Sequence, residues 1–485
     1  MKRRRFLRWT AIAATLFSVV TGVSVVRYVL AHPNEPLQQN LASWAREQGL
    51  GGIVDQLEVW LHDEPPSAAP ANSLALAVDE AIDDGSDAPA SDSSSTTVPP
   101  APTTGASTTP SPVSPTTIEA STPAVTNPNA KPVKLTACGT PATTTTTVPG
   151  QSTTTRPSTT STSTSTSTST TTTSTSTTTT TVPAPTVPGE TTTTSTSTTT
   201  TTTIPARPAD IATPITPALR GEGEWRPAIR VRKVPIVHVS SIRPIARCGS
   251  VVATMATFNP NLVRAALHNG EETPGGGPWR NKDRVSDRAR PSLIASFNGG
   301  FRFDHKPGGY VTEGKVVRKL RKGYATFGIR TDGTSTVGVW GEDMIDDGSW
   351  VSLRQNLPPL VRGGEIVFHT YDKVDWGKDY DDKVFNFRSA VCRRTDGLMM
   401  FVAVGDVSIS MLAETMVLLS CDTAMEMDIN GTWPYFAVYE SFGKADRRGR
   451  VIDTRMGDPN RHLNKSTKDF IALFDPETLP PGAVR

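Results

Sequence analysis

Three short stretches carry the side chains with chemical potential. Leu293–Phe297 is an apolar run that ends in Asn298, Gly299, Gly300 and Phe301. Paired glycines let backbone approach another group and turn its amides toward a ligand, and an Asn at such a turn can hold a hydroxyl. Arg388 opens a second run, Ser389-Ala390-Val391, with a guanidinium fork suited to phosphate or carboxylate. Asp428 closes a third, Ala424–Met427, and is followed by Asn430-Gly431, which places a carboxylate where a strand becomes a turn. Gly308-Gly309-Tyr310 and Glu313-Gly314 lie between as a candidate rim. Each feature taken alone also has a plain structural role as tight turn, hairpin or ion pair.

These residues need strands to hold them. The region from about 220 to 485 has short runs rich in Val, Ile and Phe: Ile236–Val239, Val251–Phe258, Ile294–Phe297, Ala325–Ile329, Thr336–Trp340, Ser389–Val391, Met399–Val404, Ala424–Asp428 and Tyr435–Val438. Asp332-Gly333 and Asp396-Gly397 read as hairpin turns. Helices are expected at Pro260–Leu267, after Asn259, and at Ser410–Ser420. Strands outnumber helices and strand–helix alternation is sparse. The expected fold is therefore α+β, one domain with a largely antiparallel or mixed sheet.

The rest of the chain is organised differently. A basic tail (1–8) precedes an apolar run (9–30) that reads as a transmembrane signal anchor, leaving the C-terminal part outside the membrane. A cleaved signal peptide is the competing reading, with Val29-Leu30-Ala31 as a cleavage site. Residues 41–64 form a short amphipathic helix ended by Pro65-Pro66. From 65 to 217 the chain is Ser/Thr/Pro-rich without apolar periodicity, the composition of a disordered stalk. A net charge of +2 over 485 residues gives no reason to expect nucleic acid. Cys138, Cys248, Cys392 and Cys421 lack zinc-site spacing; one disulfide among the last three is the expectation outside the cytosol, its pairing open. Walker, H-E-x-x-H and G-x-S-x-G motifs are absent, and Asp428-Ile429-Asn430-Gly431 does not continue as a calcium loop.

Taken in order, Asn298-Gly299-Gly300-Phe301, Gly309–Gly314, Arg388-Ser389-Ala390, Ala413-Glu414 and Ala424–Gly431 resemble the phosphodiester glycosidase family over about 250–440. Family members show an Asn-x-x-Phe turn, an Arg-Thr-Ala strand start and a late Asp-Gly-Gly-Gly-Ser turn. Here Ser389 stands for the Thr, and Ile429 and Asn430 replace two glycines. Anchor and stalk together look like membrane-anchored bacterial members of an actinobacterial kind. The resemblance implies cleavage of a sugar-1-phosphodiester at the glycosidic bond in an envelope or exported glycan. That reaction needs charge stabilisation on phosphate and an acid/base carboxylate. Arg388, aided by the Gly299-Gly300 amides, would clamp phosphate, and Asp428 would be the acid/base or water-orienting group. Asn298, Asn430 and Gly431 would contact sugar, with Glu313 or Asp304 as second carboxylate and His305 or His369 as further candidates. No cofactor is expected. The acidic run Asp372, Asp375, Asp379, Asp381, Asp382 leaves a divalent cation open, although interleaved lysines favour a solvated loop. The alternative is a non-catalytic wall- or glycan-binding module using Trp279, Trp340, Trp376 and Trp433.

Overall fold

The structure, a computed structural model, describes residues 20–31, 37–78, 137–138, 207–371, 374–376, 384–429, 431, 433–440 and 443–485. All strand pairings in its three sheets are antiparallel. The largest has eight strands: β1 (Arg226–Val231), β2 (Val234–Ile242), β3 (Ala253–Phe258), β14 (Met399–Val407), β13 (Asn386–Arg394), β15 (Cys421–Ile429), β11 (Val361–Arg362) and β12 (Glu365–Ile366), in that spatial order. Its central strands are apolar on both faces because both are covered. Along β14, Met399, Phe401 and Ala403 enter one core while Met400, Val402 and Val404 enter the other. The second core is closed by the helix Ile409–Leu418 through Met411, Leu412 and Met416.

The first core joins all three sheets. One five-stranded sheet runs β7 (Lys315–Arg318), β6 (Tyr310–Thr312), β10 (Trp350–Gln355), β8 (Ala325–Arg330), β9 (Ser335–Val339). The other runs β17 (Arg448–Val451), β16 (Phe436–Glu440), β5 (Leu293–Asn298), β18 (Phe470–Phe474), β4 (Arg264–His268). Phe297 on β5 stacks on Phe436 at 5.8 Å and meets Phe327 of β8 at 5.9 Å, Phe401 of β14 at 5.7 Å and Phe258 of β3 at 6.4 Å. The residue before Asn298 is thus the common packing point of the three sheets.

The nine expected strands all form, and the expected second helix is Ile409–Leu418. The expected helix at Pro260–Leu267 is instead a turn at Asn259 leading into β4. There Arg264–His268 pairs residue for residue with β18 at the end of its sheet, and Ala265, Ala266 and Leu267 are all buried; burial on both faces suits a covered strand better than an amphipathic helix. The domain also begins earlier than expected. Residues 67–78, assigned by composition to the stalk, form a strap on the domain. Ala71 N donates to Gly249 O (2.8 Å), Ala77 N to Ile452 O (2.9 Å), and Val78 is buried in the first core. Packing resumes at Arg207, with Asp210 accepting from Trp225 N (2.9 Å) and the buried Glu222 paired to Arg243. Two disulfides, Cys138–Cys248 and Cys392–Cys421, replace the single one expected. The first ties the tract before the domain to it.

Helices cover 20–31, Leu37–Ala45 and Gly51–Leu61, the last two separated by a break at Gly49 (φ 81°). Most of the expected anchor lies outside the described residues, and among those described no helix is long and apolar enough to cross a membrane.

Candidate functional site

Asp428 sits at the end of β15, where the strand departs from regular pairing. Arg388 is opposite Ile429 and Ala390 opposite Glu426, so Met427 and Asp428 together face Ser389. This is a β-bulge, the device that re-aims a side chain at a strand end. The Ser389 hydroxyl fills the gap: it donates to Asp428 O (2.6 Å) and accepts from Asp428 N (3.1 Å). Asn298 Nδ2 donates to the same hydroxyl (3.1 Å), while Asn298 Oδ1 accepts from Tyr435 N (2.9 Å). Asn298, Ser389 and Asp428, distant in sequence, therefore converge.

The Asp428 carboxylate meets the Lys468 ammonium, and both side chains are buried. Burial pushes the Asp428 carboxyl above its ordinary value against the pull of Lys468. The same burial lowers the Lys468 ammonium, while Asp428 favours its charge. Each group is thus held closer to neutrality than it would be in water, as proton-transfer groups require. Lys468 Nζ also lies 4.1 Å from the Trp433 ring centroid. Arg302 and His305 are within electrostatic reach of the pair, and burial lowers the His305 imidazole. The neighbouring residue, Asp469, receives Arg354 through Nε (2.8 Å) and Nη2 (3.1 Å), both side chains wholly buried. Arg354 Nη2 also holds Phe301 O (2.7 Å), and Asn356 Oδ1 takes Phe301 N (3.0 Å). The Asn298–Phe301 turn is fixed from beneath by these groups.

Several sequence expectations change in this geometry. Arg388 points away from the Asp428 carboxylate into the second core. Its guanidinium holds Glu426 Oε1 (2.7 Å) and the carbonyls of Trp376 (2.8 Å), Val384 (3.1 Å) and Val407 (2.9 Å). A buried arginine so engaged fixes strand ends rather than clamping a substrate phosphate. The Gly299 amide donates to Asp469 O (3.0 Å), and a Cβ at Gly299 would lie 2.2 Å from Asp469 Oδ2, so this glycine serves close approach of two chain segments. Asn298 is engaged internally. Glu313, at φ 51° in the β6–β7 turn, accepts the amides of Arg280 (2.6 Å) and Asn281 (2.8 Å) rather than facing Asp428. Asp304 is exposed beside Arg302 and His305. Gly431 forms the turn after β15 with φ 49°. Asn430 lies outside the described residues, as does the acidic run except Asp375. The four tryptophans pack separately: Trp376 in the second core, Trp340 in a small third cluster, Trp279 beside Lys315, Trp433 beside Lys468.

Lys468, Asp469, Arg354 and Asn356 had no sequence assignment. The only local signal is a charged doublet, Lys468-Asp469, immediately before the fully apolar β18. Its meaning comes from register, because Phe470 pairs with Asn298 and brings the doublet to the turn.

Residues 292–428, a stretch that ends at Asp428, match the phosphodiester glycosidase family. Among solved structures, it is similar to the catalytic domain of zebrafish N-acetylglucosamine-1-phosphodiester alpha-N-acetylglucosaminidase, auto-inhibited by its pro-peptide. The identity is 20%, over 52% of this chain and 87% of that one, with a TM-score of 0.35. A hypothetical protein from Synechocystis aligns at 11% identity over 52% of this chain and 64% of its own, TM-score 0.33. A protein from Burkholderia pseudomallei aligns at 12% identity over 46% of this chain and 74% of its own, TM-score 0.29. No curated protein matches the chain.

Proposed function

We propose that the domain is a hydrolase that cleaves a sugar-1-phosphodiester at its glycosidic bond in an envelope or exported glycan. In this reading the domain is held outside the cell by the 9–30 anchor. The observation that carries the reaction is the buried Asp428–Lys468 pair at the bulged end of β15, where Asp428 is the last residue of the family-matched stretch and Lys468 lies beyond it. An incoming phosphodiester competes with Asp428 for the Lys468 ammonium. Lys468 then stabilises the departing phosphate oxygen, and the released Asp428 carboxylate accepts a proton from a water attacking the anomeric carbon. The C1–O bond breaks with its electron pair on the phosphate oxygen, leaving free sugar and a phosphate monoester. Trp433 offers an apolar face beside the ammonium for the sugar ring.

The test is release of reducing sugar from a sugar-1-phosphodiester by the full chain in non-ionic detergent. Asp428→Asn and Lys468→Met should each lower kcat by about a hundredfold or more. Equal release from wild type and Asp428→Asn would sink the assignment.

A further inference from the structure

The edge of the β7–β6–β10–β8–β9 sheet has a charge pattern that the proposed chemistry leaves unused. Residues 302–322 contain seven Lys or Arg against two carboxylates, Asp304 and Glu313. Glu313 is occupied by backbone amides. Among the described residues, Lys306, Lys315, Arg318, Lys319, Arg321 and Lys322 have no carboxylate partner. Elsewhere Arg232, Arg243, Arg247, Arg330, Arg354 and Arg362 are ion-paired, while Arg264, Arg280 and Arg288 bond backbone carbonyls singly rather than as a cluster. All of these cations but Lys306 lie on or just after β7, an exposed edge strand with Val316 69% accessible. Lysines on an edge strand also discourage edge-to-edge pairing. That role needs one or two cations and gives no reason for the connection to the site that this edge has. Arg318 Nη1 donates to Phe303 O (3.2 Å), just beyond the Asn298–Phe301 turn. Gln355 Oε1 holds the amides of both Gly309 and Arg321 (2.8 Å each), and its own carbonyl is held by Arg354, the partner of Asp469.

We infer that this edge is a docking strip for a polyanion, so that the substrate is a phosphodiester-linked anionic polymer rather than an isolated sugar phosphodiester. The inference rests on the proposed hydrolase reading for the word substrate, but not for the binding. Charge complementarity selects the occupant, and length selects a polymer. The four residues of β7 span roughly 10 Å at ~3.3 Å per residue, and the cations continue past them, more than one phosphate can engage. Opposed to a bulk net charge of only +2, such a strip acts locally and weakens with salt.

The experiment measures binding of labelled inorganic polyphosphate to the full chain in non-ionic detergent, at low and high salt. Wild type should bind in a salt-sensitive manner, and Lys319→Glu/Arg321→Glu/Lys322→Glu should lose about tenfold or more in affinity with its melting transition unchanged. If that variant unfolds, the neutral Gln triple replaces it and must lose affinity too. Unchanged affinity in the folded triple variant, or wild-type binding that is insensitive to salt, overturns the inference. No turnover is read, so a failed strip and a failed hydrolase assignment are separately visible. If both hold, the triple variant raises KM for a polymeric substrate and leaves a monomeric sugar phosphodiester unaffected.

Discussion

Glu426 and Asp428 stand two positions apart on β15 and take different roles. Glu426 is wholly buried and locked to Arg388, whose guanidinium also bonds three carbonyls of neighbouring segments. Asp428, past the bulge, faces Lys468 beside Trp433. Removing one partner of a fully buried ion pair leaves an uncompensated charge and costs about 3–5 kcal/mol. Arg388→Met should therefore lower the urea midpoint by that equivalent while activity per folded molecule persists. A phosphate-clamping arginine would show the opposite pattern, with intact stability and lost activity, and that result would restore its sequence-based role.

At the scale of elements, the bulge in β15 depends on Ser389. Its hydroxyl supplies both bonds that the ladder lacks at Asp428 and receives Asn298 as well. Ser389→Ala leaves buried backbone groups unsatisfied, at about 1–3 kcal/mol, and frees the Asp428 backbone to shift. Sugar-phosphodiester turnover should fall with kcat affected more than KM, and Ser389→Thr, which keeps a hydroxyl, should recover most of it. No difference between the Ala and Thr variants would remove the bulge from the mechanism. The Cys392–Cys421 disulfide clamps the other ends of β13 and β15, closing a 29-residue separation. Its removal by paired Cys→Ala substitution should cost roughly 3–4 kcal/mol by loop entropy. Thermal melting of that variant under oxidising conditions is the measurement.

The whole molecule depends on pH through histidines buried in its interior. Burial lowers His238 and His268 to about 4, and it lowers His462 well below the ordinary value. His268 and His462 stack on Phe470 at 4.6 and 3.9 Å, and His462 Nδ1 bonds Ser296 Oγ at 2.7 Å. A depressed folded pKa contributes stability that is fully present above the unfolded value and lost as pH falls toward the folded one. Each such histidine therefore adds a slope of about 1.4 kcal/mol per pH unit below about pH 6.5. Urea midpoints should fall steeply from pH 7 to pH 5, and a flat profile would contradict neutral buried imidazoles. At the same scale, the 67–78 strap seats Val78 in the first core, so deletion of 67–78 should lower the melting temperature of the domain.

Period-two and apolar runs placed all nine expected strands because a strand's signal is local: Val, Ile and Phe between glycine turns. The order of Asn298, Arg388 and Asp428 was enough to indicate the family, and Asn298 and Asp428 do meet. Residues whose meaning lies in pairing were not legible. Pro260–Leu267 had helical spacing, but β18 makes its second half a strand. The strap looked like stalk because its few apolar groups act only against Gly249 and Ile452. Arg388 carried the right charge for phosphate, but strand alternation turned it to the face of Glu426 while Ser389 took the site. Lys468 was a lysine before a strand until the register Phe470↔Asn298 set its ammonium on Asp428. Sequence by itself determined the strands and the family resemblance, since those depend on residue type and neighbours along the chain, and it put Asp428 at a strand end. The tertiary structure alone decided which cation faces that carboxylate, because contacts between distant segments are fixed by sheet register and by which face of a strand is buried.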